Sequence, residues 1–450
     1  MTHHKTARFA ALLAAMSLAV PAVAAVSDEQ AQKLKGDLTP FGSEKAGNAA
    51  GTIPPWTGGY TSPVPDLASG QRGDPFKDEK PLFTITAKNA DQYAEKLTDG
   101  QKALLAKYPD TYNLQVYPTH RTAAAPQWFY ENTFKNATRA RLVGDSMAGG
   151  FAGVPFPIPT SGAEVIWNHI TRWRGTTVHF RVGNWQLTTD GRPVLTSTVD
   201  AREQMPYFMP DRPEVLAKTN EYWMIRVDTT APALRTGESI IGRFQLDPSK
   251  DQAWVNLTGQ HRVRKLPTPC CDMPSPNSAG LLMFDEHDVF SGRLDRFDWK
   301  LLGKQEKFIP YNNNKIFTPA KDTDFLSAHH VNPDYLRWEL HRVWVVEATL
   351  RAGARHVAPR SRYYCDEDTW ICELGDRWDA KGQLWRTVWR TNYVDPDGPG
   401  TMPGPYGMND LIAGVAFISE IYAWPNTVRL IKPVEDNYFT PDALAATTVR

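Results

Sequence analysis

From about residue 177 onward the apolar residues of the chain recur at every second position. In TVHFRVG, Val178, Phe180 and Val182 alternate with His179 and Arg181. The same rhythm returns in VLTSTVD, EYWMIRVDT, IIGRFQLD, AWVNLTGQHRVRKLP, HRVWVVEATLR, RYYCDEDTWICE and QLWRTVWRTNYV. A period of two puts successive side chains on opposite faces of a strand, so each segment reads as a strand with one face inward. Polar turns such as TTDGRP and WDAKGQL separate these segments, and no helical stretch comes between them. The pattern predicts a large antiparallel sheet or barrel.

Upstream the period is 3.6. Thr98 and Gln101 form a capping box ahead of KALLAKYP, which predicts a helix over 89–107 with a break near Gly100. SGAEVIWNHITRW predicts a second helix, with Ser161 as its cap and Val165, Ile166, His169 and Ile170 on one face. Residues 36–81 are dense in Gly and Pro and aperiodic, which predicts an extended arm lying on another surface. At the start, Lys5 and Arg8 precede an apolar run from Phe9 to Val20 and small residues at 22–25. That is the pattern of a cleavable export signal, too short to span a bilayer. With no Cys at the cleavage point, no lipid anchor is expected. The expected organisation is a signal peptide over 1–24, an arm over 25–88 and one domain over 89–450.

Several longer stretches carry a resemblance. DLTPFGSEKAGNAAGTIPPWTGG, NTFKNATRARL, FPIPTSGAEVIWNH, RLDRFDWKLLGKQEKFIPYNNN and RVWVVEATLRAGARHVAPRSRYY resemble the DUF1329 family of exported bacterial proteins. That family stands near the lipoprotein-sorting carriers of the LolA/LolB-like fold. The resemblance implies an α+β protein: a large curved antiparallel sheet, or half-open barrel, with helices covering one side and an apolar cavity. It implies no established catalytic residues, and it suggests a trafficking role beside efflux-type exporters and outer-membrane proteins. AWVNLTGQHRVRKLP and ELGDRWDAKGQLWRTVW look most like the carriers' own strands, whereas Cys270-Cys271 depart from the family's usual residues.

Composition narrows the function. Lys+Arg and Asp+Glu both number 50, so no basic surplus attracts nucleic acid. The chain holds 15 Trp, 16 Tyr and 19 Phe, which suits strands with large apolar faces. In an oxidising compartment the four Cys are expected in disulfides rather than on a metal. Cys365 and Cys372 flank six residues and are placed to close a hairpin. Cys270-Cys271 leave three alternatives open: a vicinal disulfide, free thiols, or bridges elsewhere.

Two acidic runs compete as chemistry. Asp366-Glu367-Asp368 falls where a hairpin needs polar turn residues, so the expected role is a turn tip facing water rather than a catalytic pair. FDEHDVF offers Asp285, Glu286, His287 and Asp288 as acid–base or metal groups, with His329 and His330 as partners. No H-E-x-x-H spacing and no G-x-S-x-G elbow supports that reading, and a polar loop explains the same residues. The aromatic set Trp223, Trp254, Phe284, Trp299, Trp338, Trp344 and Trp389 offers walls for an apolar cavity, although a packed interior is the simpler account of any one of them. Arg262, Arg264 and Lys265 are candidate basic groups at a rim. The expectation is therefore non-catalytic binding of a lipid or other hydrophobic molecule in the periplasm. No cofactor or metal enters it, and an envelope exporter or outer-membrane protein is the partner. The rivals are an envelope lipid- or glycan-acting enzyme built on residues 285–288, and a structural adaptor.

Overall fold

The computed structural model describes residues 26–68, 70–257, 262–267, 270–395, 397–422 and 428–448. The export signal expected over 1–24 lies outside them. In chain order the strands are β1 (Phe83–Ile85), β2 (Leu114–Val116), β3 (Arg141–Val143), β4 (Ser146–Ala148), β5 (Thr177–Leu187) and β6 (Pro193–Gln204). They continue with β7 (Glu221–Ala231), β8 (Ser239–Gln245), β9 (Gln252–Asn256), β10 (Val263–Lys265), β11 (Phe297–Pro310) and β12 (Trp338–Leu350). The last are β13 (Arg360–Asp366), β14 (Cys372–Trp378), β15 (Leu384–Asp395), β16 (Gly400–Asp410), β17 (Ala416–Ile421) and β18 (Val428–Leu430). Every alternating segment read from the sequence overlaps one of these strands or spans a hairpin of two.

Among the described residues all strands but the β3–β4 hairpin join one sheet. Its body is two antiparallel meanders, β5 to β10 and β11 to β17, fused where β17 and β18 pair with β5, and the β1–β2 pair joins β12 in parallel at Val116 and Trp338. β10 ends one side and β11 the other, and among the described residues they do not pair with each other, so the sheet is open. It is also strongly curved. β15 and β9 are seven strand steps apart, in the order β15-β16-β17-β5-β6-β7-β8-β9. In a flat sheet they would be separated by about 33 Å. Yet Tyr393 of β15 and Ala253 of β9 line the same cavity. Register shifts at Asn184/Trp185, Arg390/Asn392 and Ile418/Ile421 mark bulges, which bend strands in this way.

The helices are α1 (Asp28–Gln32), α2 (Asp99–Lys107), α3 (Gln127–Arg139), α4 (Gly162–Ile170), α5 (Pro213–Thr219) and α6 (Pro441–Thr448). Capping boxes start α2 at Thr98/Gln101 and α4 at Ser161/Glu164, as the sequence indicates. The single helix expected over 89–107 is instead 3-10 turns at Ala90–Lys96 followed by α2, so the break falls at Leu97–Thr98 and not at Gly100. Gly100 lies inside α2 because its backbone presses on β14 and β15. A Cβ there would stand 2.3 Å from Asp376 Oδ1 and 2.4 Å from Thr387 Oγ1.

In the β11–β16 half, β12 to β16 are largely buried on both faces, while β11 at the edge exposes Asp298, Lys300, Leu302 and Gln305. Leu104 and Leu105 of α2 pack with Val345, Tyr364 and Leu374, while Val165 and Ile166 of α4 pack with Val346, Tyr363 and Val388. Neighbours in sequence, such as Val345 and Val346, therefore serve different cores. Residues 37–82 contain no named helix or strand, and they run over this half: the Asn48 amide donates to Glu306 of β11, and Arg72 pairs with Asp395 of β15. No described helix is long and apolar enough to cross a membrane.

Candidate functional site

The alternation of the first meander builds the wall of a cavity of about 180 Å³. Val178, Phe180 and Val182 of β5, Val199 of β6, Ile225 and Val227 of β7, and Ile240 and Phe244 of β8 all point into it. Their sequence neighbours point away: Met224 and Ile241 pack beneath Phe439 and Leu444 near the C-terminus. Met402, Phe417 and Tyr422 close the far wall. Burying apolar surface here contributes about 0.8 kcal/mol per methylene of a ligand.

One end of the cavity is charged. Asp288 is ion-paired with Arg172 and with Arg390, and its Oδ2 lies 3.5 Å from Arg174 Nη1. Burial opposes ionisation of Asp288, but Arg172 and Arg390 outweigh it and hold the carboxyl well below the usual range. Arg390 also donates to Glu420 at 2.8 Å, yet burial raises Glu420 to about 7. Arg174 lies over the Trp223 ring, 4.8 Å from its centroid, and the Trp223 indole donates to Glu203 at 3.1 Å. Burial lowers His287 to about 4, so it is neutral, and its Nδ1 is 2.6 Å from the Tyr406 hydroxyl.

The loop that carries these groups is pinned in a costly conformation. Asp288 and Val289 both have positive φ, at 59° and 67°. The Cys372 N–H donates to His169 Nδ1 at 3.0 Å, which leaves His169 Nε2–H to donate to the Asp288 carbonyl at 3.0 Å. Burial lowers His169 to about 3, which keeps it neutral for this task. The arrangement joins an apolar chamber to a fixed set of donors and acceptors, which suits a ligand with an apolar body and a polar head.

The structure distributes the aromatic candidates unevenly. Trp223 and Phe284 line the cavity, and Trp223 stacks on Phe244 with centroids 4.5 Å apart. Trp338 and Trp389 border a separate void of only about 30 Å³, beside His330. Trp254 faces away because Ala253 faces in, and Lys265 sits over its ring. Trp299 packs on Phe290 and Tyr363, and Trp344 stacks on Trp370. Arg262, Arg264 and Lys265 are exposed. Cys365 and Cys372 are disulfide-bonded, as are Cys270 and Cys271.

The residues of the enzyme reading do not converge. Asp285 meets His356 at 2.7 Å and Glu286 meets Arg386 at 2.7 Å, whereas of these four residues His287 and Asp288 alone face the cavity. His329 stacks on Tyr108, and His330 contacts Thr111.

The expectation that Asp366-Glu367-Asp368 face water is corrected. The three do sit at the turn between β13 and β14, but each is at most 2% exposed. Arg121 makes a bidentate pair with Asp368 at 2.7 and 2.8 Å, while Arg342 and Lys304 each reach Glu367 at 2.6 Å. The arm covers the turn, with the Glu44 N–H donating to Glu367 at 3.3 Å. Burial pushes Asp366 up to about 7 and Glu373 well above the usual carboxylate range. The cations come from distant segments, so local spacing could not reveal them. Arg172, Arg174, Arg390, Tyr406 and Glu420 at the charged end were likewise invisible to motif reading. Only FDEHDVF signalled the place.

Comparison with known proteins gives a consistent kinship. A family model described as "Protein of unknown function (DUF1329)" matches residues 84–445. An uncharacterized protein of Pseudomonas aeruginosa is 42% identical over 386 residues, covering 84% of this chain and 84% of its own. A crystal structure of a DUF1329 family protein from Desulfovibrio piger aligns with TM-score 0.40 at 15% identity, over 60% of this chain and 92% of that one. A putative outer membrane lipoprotein-sorting protein domain from Vibrio parahaemolyticus aligns with TM-score 0.43 at 12% identity, over 63% and 97%. With its family model spanning most of its length and a relative this similar, the chain belongs to the DUF1329 family.

Proposed function

We propose that this protein binds and carries a lipid or other hydrophobic molecule in its curved sheet, without catalysing a reaction. The observation that carries the reading is the cavity itself, walled by one face of β5 to β8 and charged at one end. A dry apolar cavity of about 150 Å³ holds a benzene ring. The chamber therefore takes a ring or part of an acyl chain as it stands, and a longer chain extends beyond it. Trp223 and Phe284 are the aromatic contacts of this ligand, Arg174, Arg390 and His287 its polar contacts. The export signal read from the sequence sets the exchange in the periplasm, with an envelope exporter or outer-membrane protein as the source or recipient.

The test is native mass spectrometry of the gently purified protein, combined with uptake of a fluorescent fatty acid. Wild type is expected to carry or take up one apolar ligand per chain. Val227→Trp and Ile240→Trp, which fill the chamber, are expected to lose it while remaining folded. Ligand-free wild type with no probe uptake, or uptake unchanged in both variants, sinks the proposal.

A further inference from the structure

We propose that His341, Asp366 and Asp368 form a buried site for a divalent first-row transition ion, such as Zn²⁺ or Mn²⁺, that fastens the N-terminal arm to the sheet. One ligand atom from each of the three lies within 4.8 Å of the others, and all three residues are buried. An ion held about 2.1 Å from each ligand in tetrahedral geometry keeps ligand atoms about 3.4 Å apart, so closure brings the widest pair together by up to about 1.4 Å.

Three further observations point to a ligand. Asp366 Oδ1 is buried and has no hydrogen-bond partner, standing 3.6 Å from His341 Nδ1. Its other oxygen is fully used by the Asp368 and Thr369 N–H groups and the Thr369 hydroxyl, so the carboxylate is rigidly aimed. Tyr311, whose ring stacks on His341 with centroids 3.9 Å apart, also has a buried hydroxyl without a partner. Finally, His341 Nε2 is 3.2 Å from Glu339 Oε2, and Glu339 is itself paired with Arg337. A carboxylate on the outer ring nitrogen is the usual device for orienting a metal-binding histidine with its inner nitrogen free.

Charge balance asks for a cation in the same place. Arg121 answers Asp368, Arg342 and Lys304 answer Glu367, and Arg337 answers Glu339. Asp366 and Glu373 have no guanidinium or ammonium of their own among the described residues. Glu373 accepts from the Asn392 amide and the Asp366 N–H. Two uncompensated buried acids are costly unless a proton or a metal neutralises them. The Arg121–Asp368 pair uses one lone pair on each carboxylate oxygen and leaves others for an ion. One imidazole with two carboxylates is a mixed nitrogen–oxygen set, which favours Zn²⁺ or Mn²⁺ over Ca²⁺. Because Arg121 also donates to the Glu44 carbonyl at 2.8 Å, an ion on Asp368 would tie the arm to β12 and to the β13–β14 turn.

The experiment incubates the full exported chain with zinc, manganese or calcium chloride alone, desalts it, and measures bound metal by elemental mass spectrometry and melting temperature with and without chelator. Wild type is expected to retain one more equivalent of Zn²⁺ or Mn²⁺ than Asp366→Asn or His341→Ala, with affinity at least roughly 100-fold higher. Its melting temperature should fall on chelation while that of the variants does not move. Asp366→Asn keeps the side-chain shape and lowers buried charge, so it folds even where His341→Ala does not. Equal metal content in wild type and Asp366→Asn, a melting point indifferent to chelator, or retention of Ca²⁺ alone would each overturn the assignment.

Discussion

The two meanders share one sequence rhythm and end differently. In β14 every residue from Cys372 to Trp378 is buried, because α2 covers one face and the 284–291 loop with α4 the other. In β7 the inward residues Trp223, Ile225 and Val227 are only half-buried and face a void. A period of two specifies which side chains share a face. It does not specify whether a second layer arrives to fill the space above that face. Here most of the second layer comes from residues 37–170 outside β1 and β2, together with the 284–291 loop, and it lies over the C-terminal meander.

This contrast is sharpest at the buried ion network of the packed half. Arg121 neutralises Asp368 and ties down the Lys45, Ala46 and Pro54 carbonyls at 3.3–3.5 Å. Arg121→Ala leaves a buried carboxylate without its cation, which costs about 3–5 kcal/mol. Chemical denaturation should register that loss, and proteolysis should then cut the arm first. An exposed-pair cost, below about 1 kcal/mol, would mean that the arm is not what buries the turn.

A second probe is pH. Asp376 of β14 accepts from the Gly100 N–H at 3.1 Å and from the Tyr364 hydroxyl at 3.4 Å, and burial pushes it up to about 7. Between its ordinary 3.8 and about 7, the folded chain keeps a proton that the unfolded chain has lost. Stability from this group is therefore complete below pH 3.8 and is lost as pH rises through 7. The upper bound is roughly 4 kcal/mol. Urea midpoints measured from pH 4 to 8 should decline less in Asp376→Asn than in wild type. Parallel declines would mean that Asp376 is ionised throughout.

The sequence disclosed much of this frame, and where it failed the reasons are physical. Capping boxes at Thr98 and Ser161 were legible because their chemistry is local. β16 was not legible: GTMPGPYGMND carries two prolines and three glycines, which read as loop. It is a strand because Pro403 sits beside a bulge and because Gly407 lets Trp389 lie close, where a Cβ would come within 2.8 Å of the indole. The burial of Asp368 was hidden because its cation, Arg121, lies 247 residues away in the sequence. Half of the cavity wall was readable from alternation. Its charged end depends on Arg174, Arg390 and Glu420 meeting across strands, which no spacing encodes.

Truncation of one valine in each half separates filled from hollow. Val343 of β12 is 0% exposed between two covered faces, so Val343→Ala should cost roughly 2 kcal/mol from lost transfer energy and a new void. Val227 already faces empty space, so Val227→Ala should cost less than about 1 kcal/mol and should leave room for a bulkier ligand. Equal costs would mean that ligand or rearranged side chains fill the chamber in solution.

The smallest stability effect is expected at the outermost edge of the first meander. Arg262, Arg264 and Lys265 are exposed, and the last two lie on β10, which forms one edge of the open sheet. Replacing all three by Gln should change stability by no more than about 0.5 kcal/mol, because exposed charges away from networks contribute little. Two roles for them then diverge. If this edge meets lipid head groups, each lost cation weakens binding to anionic vesicles by about 1 kcal/mol, or roughly fivefold, and the difference disappears in high salt. If the charges only keep an unpaired strand from joining its copies, vesicle binding is unchanged and the triple variant self-associates instead. Vesicle co-sedimentation beside light scattering on the same sample distinguishes the two. Only the first outcome extends the carrier reading from the chamber to the surface through which its cargo would pass.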